Sequence, residues 1–237
     1  IPSAVPSGTP TSVPSYKPTP SPTFSPSVDA ETSAMCDLAA ALSVKVGLAV
    51  GWVCENGVPV EDVCIWTGIL CYGTSVGRIN VVAEGLIGTI PNSIGQLTGL
   101  LLIQMQSNSM FGTIPSSLGS LSSLGTLNLN RNCFTMSIPS SLGDLNLQDL
   151  YLNRNCLTGT IPSSLGSVSS MKRLDMTRNQ LTGLVPGSLG DLSNLVAMSL
   201  ADNSLSGAIP SNICKIADVF VIEPQNAGPL VYPACMS

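Results

Sequence analysis

The sequence predicts a curved α/β solenoid with closed ends and an extended N-terminal arm. Three observations carry that expectation. A unit of about 24 residues recurs through the body, a four-residue proline unit recurs at the start, and six of the eight cysteines flank the body.

The body repeat spans residues 79–210. Its prolines are Pro91, Pro115, Pro139, Pro162, Pro186 and Pro210, at spacings of 24, 24, 23, 24 and 24 residues. Each unit reads L-x-L-x-x-N-x-L-x-G-x-I-P. The paired apolar residues (Leu127 and Leu129, Leu150 and Leu152, Leu174 and Met176, Met198 and Leu200) alternate with polar ones. That alternation predicts a short strand with one buried face. The column Asn108, Asn132, Asn155, Asn179, Asn203 turns the chain. A carboxamide both donates and accepts, so it can satisfy buried backbone between coils. The first unit has Glu84 there. Gly88, Gly112, Gly159, Gly183 and Gly207 form a turn column, with Met136 in place of one glycine.

Residues 1–28 repeat x-Pro-[Ser/Thr]-x seven times. The prolines are Pro2, Pro6, Pro10, Pro14, Pro18, Pro22 and Pro26, followed by Ser3, Ser7, Thr11, Ser15, Thr19, Thr23 and Ser27. Proline fixes its own φ and drives the preceding residue to extended conformations. The expected state is a polyproline-II-like rod of ~3.1 Å per residue, roughly 85 Å in all. Such tracts carry O-linked glycans in secreted proteins, so these hydroxyls and prolines are the expected sugar positions. A plain linker is the alternative.

Composition narrows function. Charged residues make up 10% and the net charge is −5, which argues against a basic nucleic-acid surface. Histidine is absent, which removes Ser-His-Asp, Cys-His and His-ligated metal chemistry. Asp144, Asp149, Asp175 and Asp191 fall in different columns, and no phosphate loop or nucleophile motif occurs. Neither an enzyme nor a cofactor is expected, apart from covalent O-linked glycans. No apolar run reaches the ~18 residues of a membrane helix, and no Asn-x-Ser/Thr sequon is present.

The repeats resemble the plant-type extracellular leucine-rich-repeat family, whose signature is L-x-G-x-I-P. Cys64-Ile-Trp-Thr-Gly-Ile-Leu-Cys71 resembles the family's cap motif C-x-W-x-G-V-x-C. The resemblance implies a right-handed, curved leucine-rich-repeat superhelix with disulfide-capped ends. It places the arm at 1–28, an N-terminal cap at 29–78, six repeats at 79–210 and a C-terminal cap at 211–237. Ala30–Val46 reads as an amphipathic cap helix, with Leu38, Leu42 and Val46 four apart. The caps imply the bridges Cys36–Cys54, Cys64–Cys71 and Cys214–Cys235. Cys133 and Cys156 share a column in adjacent coils. Strands ~4.8 Å apart lie inside the Cα range of ~4.4–6.8 Å for a disulfide, so a fourth bridge is expected. Two free thiols are the alternative, and metal binding lacks any C-x-x-C pair. Four bridges would mean an oxidising, extracellular home.

The family includes receptor-kinase ectodomains, polygalacturonase inhibitors, Pro-rich cell-wall proteins and an antifreeze member. The residues expected on the concave face are Gln104, Gln106, Asn128, Asn130, Arg131, Tyr151, Asn153, Arg154, Asp175, Arg178 and Asp202. Arg131, Arg154 and Arg178 form one file, which suits an anionic or hydroxyl-rich ligand. Local pairing to Asp175 and Asp202 is the plainer reading. The leading expectation is a secreted structural protein of a cell wall, surface coat or fibril. In it, the glycosylated arm of one subunit docks on the next solenoid, head to tail. A soluble module resembling the polygalacturonase inhibitors, binding a glycan or a cell-wall protein, is the alternative. The stacked Thr135, Thr158, Thr182 and Ser206, beside Thr113, Ser137 and Thr160, raise ice binding as a third.

Overall fold

The computed structural model describes residues 29–44 and 51–215. The arm at 1–28 and the expected Cys214–Cys235 bridge, with most of the 211–237 cap, lie outside the described residues.

Each coil makes a strand, turns at its asparagine (Glu84 in the first), makes a second short strand, and returns through a 3-10 helix. The first strands are Ser75–Asn80, Leu102–Gln104, Thr126–Asn128, Asp149–Tyr151, Arg173–Asp175 and Ala197–Ser199, paired in parallel in that order. Their register keeps Ile79, Ile103, Leu127, Leu150, Leu174 and Met198 in one buried file. This sheet is the concave face. Ile69–Tyr72 closes its N-terminal end by pairing antiparallel with Ser75–Asn80.

The second strands form a narrower flank sheet. Leu86–Gly88, Ser109–Thr113, Cys133–Met136 and Cys156–Leu157 pair in parallel, and Thr182–Gly183 pairs with Ser204–Leu205. The 3-10 helices begin directly after the repeat prolines, whose extended backbone ends the preceding segment. A glycine in each helix packs on the next coil. A Cβ at Gly95 would lie 2.6 Å from the Ser117 carbonyl oxygen, and one at Gly143 2.5 Å from that of Ser164.

The coil with 23 residues loses its residue just after the helix Ser140–Asp144. In other coils the residue closing that helix donates its N–H back into it, as Leu97 does to Ile94 and Leu121 to Leu118. Leu145 is extended instead, and only Asn146 separates it from Leu147, where other coils have two residues; both leucines stay buried. The concave strands on either side keep their register.

The N-terminal helix runs Ala30–Ala41, and Ala34, Met35 and Leu38 enter the core. It does not continue to Val46 as the apolar spacing suggests. Leu42–Val44 is a strand, antiparallel to Leu86–Gly88, and the Ser43 hydroxyl donates to the Ile87 carbonyl. Pairing covers the first edge of the flank sheet, a stronger demand than local helical periodicity. The Asp29 carboxylate caps the helix by accepting the Thr32 N–H at 2.7 Å, which holds its pKa below the ordinary value. The Glu31 carboxylate accepts the Val76 N–H at 2.5 Å, tying the helix to the first strand. Cys36 is bridged to Cys54 and Cys64 to Cys71, and the Trp52 and Trp66 rings stack 5.7 Å apart.

Candidate functional site

The asparagine column fixes the geometry of the concave rim. Asn155 is typical. Its Oδ1 accepts the Phe134 N–H at 3.0 Å, and its Nδ2 donates to the Leu129 and Leu152 carbonyls at 3.0 Å each. One side chain thus joins two coils through three backbone groups. Asn108, Asn132, Asn179 and Asn203 repeat the arrangement.

The residue before each asparagine takes the left-handed conformation. Ser107, Arg131, Arg154, Arg178 and Asp202 have φ of 60°, 52°, 57°, 57° and 54°. That costs about 1–2 kcal/mol at a non-glycine residue. The stack offsets it: the Arg131, Arg154 and Arg178 N–H groups donate to Asn153, Thr177 and Ala201 carbonyls at 2.8–2.9 Å. The arginine file therefore stands at the rim on a fixed backbone, one residue per coil.

The charges along this rim are unequal. Arg178 pairs with Asp202 at 3.1 Å. Asp175, the other expected partner of the file, instead accepts the Thr177 N–H and O–H at 3.0 and 2.8 Å. Arg173 and Asp149 lie opposite each other in adjacent strands and pair through both carboxylate oxygens, at 2.6 and 3.2 Å. The Asp149 carboxylate raises the Arg173 pKa further. Arg131 and Arg154 are exposed, and neither has an acidic partner among the described residues. Lys172 is exposed and donates only to the Gln148 amide, at 2.9 Å.

Tyr151 sits half-buried near Asp149, Arg173 and Asp175. Burial first, and then the Asp149 carboxylate, push its phenol above the ordinary value, so it stays a neutral donor. Gln104 and Asn130 are half-buried on the same face. Asn128 is buried and accepts the Asn130 N–H at 3.2 Å, so it shapes the surface more than it presents itself. The Gln106 Oε1 and Asn153 Oδ1 atoms are buried acceptors without a partner among the described residues. Free cations and a phenol, with the half-buried Gln104 and Asn130 amides, can hold carboxylates and backbone amides of an extended segment. Lys172, Arg173 and Asp149 were outside the sequence-based set, because they precede the paired apolar positions. Their signal was the in-register Asp149/Arg173 complementarity 24 residues apart.

The flank sheet is less regular than its threonines suggest. Phe111, Met136 and Leu184 break the hydroxyl surface and are 47%, 61% and 64% exposed. The Thr135 and Thr182 hydroxyls donate to neighbouring carbonyls at 3.2 and 3.3 Å. The expected Cys133–Cys156 bridge is not formed; Cys133 is an exposed free thiol and Cys156 a half-buried one. The flank strands are staggered, so Cys156 lies opposite Thr135 and Cys133 opposite Phe111. A two-residue offset at ~3.3 Å per residue, across strands ~4.8 Å apart, gives about 8 Å, beyond disulfide reach. An open groove of about 670 Å³ between the returning helices is lined by six serines, Thr160, two prolines and two isoleucines, with no charged group. Among the described residues no group of three or more His, Cys, Asp or Glu could hold a metal. No described helix is long and apolar enough to cross a membrane.

Leucine-rich-repeat family profiles match residues 145–205 and 123–145. No curated protein matches the chain. Among solved structures, the PEPR1–AtPEP1 complex is similar at 31% identity and a TM-score of 0.72, over 85% of this chain and 27% of that one. This chain therefore spans about a quarter of that relative's length. A pollen receptor kinase 3 is similar at 26% identity and a TM-score of 0.70, covering 83% of this chain and 95% of that one. A plant ice-binding protein is similar at 25% identity and a TM-score of 0.68, covering 78% and 60%. The repeat columns, the parallel concave sheet and these matches together make the chain a leucine-rich-repeat protein.

Proposed function

We propose that this chain is an extracellular, non-catalytic binding module whose concave face takes an extended protein segment rich in carboxylates. The observation that supports this most is the pair Arg131 and Arg154. They are neighbours in one file, held on fixed backbone, exposed, and without acidic partners among the described residues. Like charges so close repel unless something neutralises them, so an acidic ligand gains from both. Tyr151 supplies a neutral donor for its backbone. The structural neighbours include an LRR ectodomain of a receptor kinase in complex with a named factor, which supports a protein ligand. The two bridges in the N-terminal cap favour an oxidising home.

A hexaglutamate peptide is the direct probe. Calorimetry should detect binding that is lost in Arg131→Ala/Arg154→Ala and weakens with salt. Equal binding by wild type and the double variant would overturn the reading.

Assembly is a second reading, favoured by the strict x-Pro-[Ser/Thr]-x arm. In it the O-glycosylated arm of one subunit docks on the next solenoid and builds a filament of a wall, coat or fibril. Electron microscopy of the native protein beside a form lacking residues 1–28 tests it. Filaments in both, or in neither, would remove the arm as connector. Ice binding is disfavoured by the interruptions at Phe111, Met136 and Leu184.

A further inference from the structure

Charge is distributed along the chain in a way its net value hides. Between residues 29 and 84 stand Asp29, Glu31, Asp37, Glu55, Glu61, Asp62 and Glu84, against Lys45 and Arg78. Five of the nine basic residues, Arg131, Arg154, Lys172, Arg173 and Arg178, lie between 131 and 178. Two of these five are ion-paired, which leaves Arg131 and Arg154 on the rim, and Lys172 ahead of the strand Arg173–Asp175, without an acidic partner among the described residues. The acidic cap also exposes large apolar side chains. Val53, Val60 and Ile65 are 53%, 55% and 67% exposed, on a short hairpin and the turn after it, interleaved with exposed Glu55 and Glu61. An apolar surface rimmed by one sign of charge is the form of a protein contact.

We propose that the partner of the concave face is a second copy of this chain, bound through the Glu55/Glu61 surface of its N-terminal cap. This rests on the reading of the concave face given above and names its ligand. Glu55 and Glu61 meet Arg131 and Arg154, while Val53, Val60 and Ile65 cover the Tyr151 region. The contact is heterologous: each copy offers one cap and one concave face, so copies add head to tail. Charge complementarity selects this orientation. Cap against cap opposes acids, and face against face opposes bases. It needs no part of residues 1–28.

The test uses the full chain. Weight-average mass is followed by light scattering against concentration, at low and at high salt. Wild type should associate at low salt, with its apparent Kd at least tenfold weaker at 500 mM, because the paired charges are exposed. Arg131→Glu/Arg154→Glu and Glu55→Lys/Glu61→Lys should each lose self-association by at least tenfold. Mixed at equal concentration, the two variants should associate again, since each cap then meets a face of opposite sign. Wild type that stays monomeric at low salt, or reversals that associate unchanged, overturns the proposal, as does a mixture that stays dissociated. Hexaglutamate titration separates this from the reading it rests on. If wild type binds the peptide and Arg131→Glu/Arg154→Glu does not, the concave site stands even where self-docking fails.

Discussion

Asn155→Ala is the sharpest probe of how the coils hold together. The side chain is buried and its three hydrogen bonds are 3.0 Å each. Its removal does not affect the three backbone partners equally. The Leu129 carbonyl also accepts from Asn132, and the Leu152 carbonyl also accepts from Asn179. Each therefore keeps one donor. The Phe134 N–H has no such reserve and is left unsatisfied at a fully buried residue. An orphaned buried donor costs about 1–3 kcal/mol, and each weakened carbonyl about 0.5–1 kcal/mol, giving about 2–5 kcal/mol in all. Urea denaturation at pH 7 should show that loss as a lower midpoint with an unchanged slope. Asn155→Asp keeps the acceptor for Phe134 but sets a carboxylate against two carbonyls. It should be less stable than Asn155→Ala at pH 7. Burial raises such a carboxyl's pKa, so the variant should regain stability as pH falls and it protonates. A loss under about 1 kcal/mol for Asn155→Ala would refute the view that this carboxamide joins the coils.

Three further outcomes follow from the same geometry. Gly143→Ala forces a Cβ to 2.5 Å from the Ser164 carbonyl and should cost about 1–3 kcal/mol, whereas Gly187→Ala meets only Pro210 Cβ at 4.0 Å and should unfold at nearly the wild-type midpoint. Met136 holds φ of 64° while 61% exposed, so Met136→Gly should raise the thermal midpoint by relieving up to about 1 kcal/mol of strain; a fall would contradict this. Asp29→Ala should destabilise by about 0.5–2 kcal/mol at pH 7. The Asp29 pKa is lowered in the fold, so its contribution is complete above the unfolded carboxylate value of about 3.9 and disappears as pH falls through the folded one. The wild-type and variant urea midpoints should therefore converge in acid.

The repeat frame was legible because each of its columns answers a physical demand. Buried leucines need period-two alternation, and the interior backbone at each turn needs a side chain that both donates and accepts. Those demands recur in the same columns of every coil, so a single sequence displays them. Features that depend on how coils sit against one another were less legible. The Cys133–Cys156 bridge was expected from shared column alone, and the two-residue stagger of the flank strands removed it. The same columns gave the arginine file but could not say which members are paired. Arg178 reaches Asp202 in its own column of the next coil, whereas the same position is Arg154 for Arg131 and Arg178 for Arg154. Leu42 fits the helical spacing of Leu38 and Val46, yet the open edge at Leu86–Gly88 draws it into a strand. The glycines that receive the next coil, such as Gly95 and Gly143, stand outside the turn column of the sequence; only the stack shows what a methyl group would strike.

The shortened coil separates two tasks within one repeat. Its missing residue is absorbed between Leu145 and Leu147, and Leu127 still faces Leu150 across the concave sheet. Contour length on the outer arc is thus free to drift, while the inner arc keeps a constant pitch. Insertions and deletions in the returning segments would alter the outline of the molecule without scrambling the order of side chains on its inner face. A lineage of such chains could therefore change size and outer shape while its recognition surface changed one column at a time by substitution.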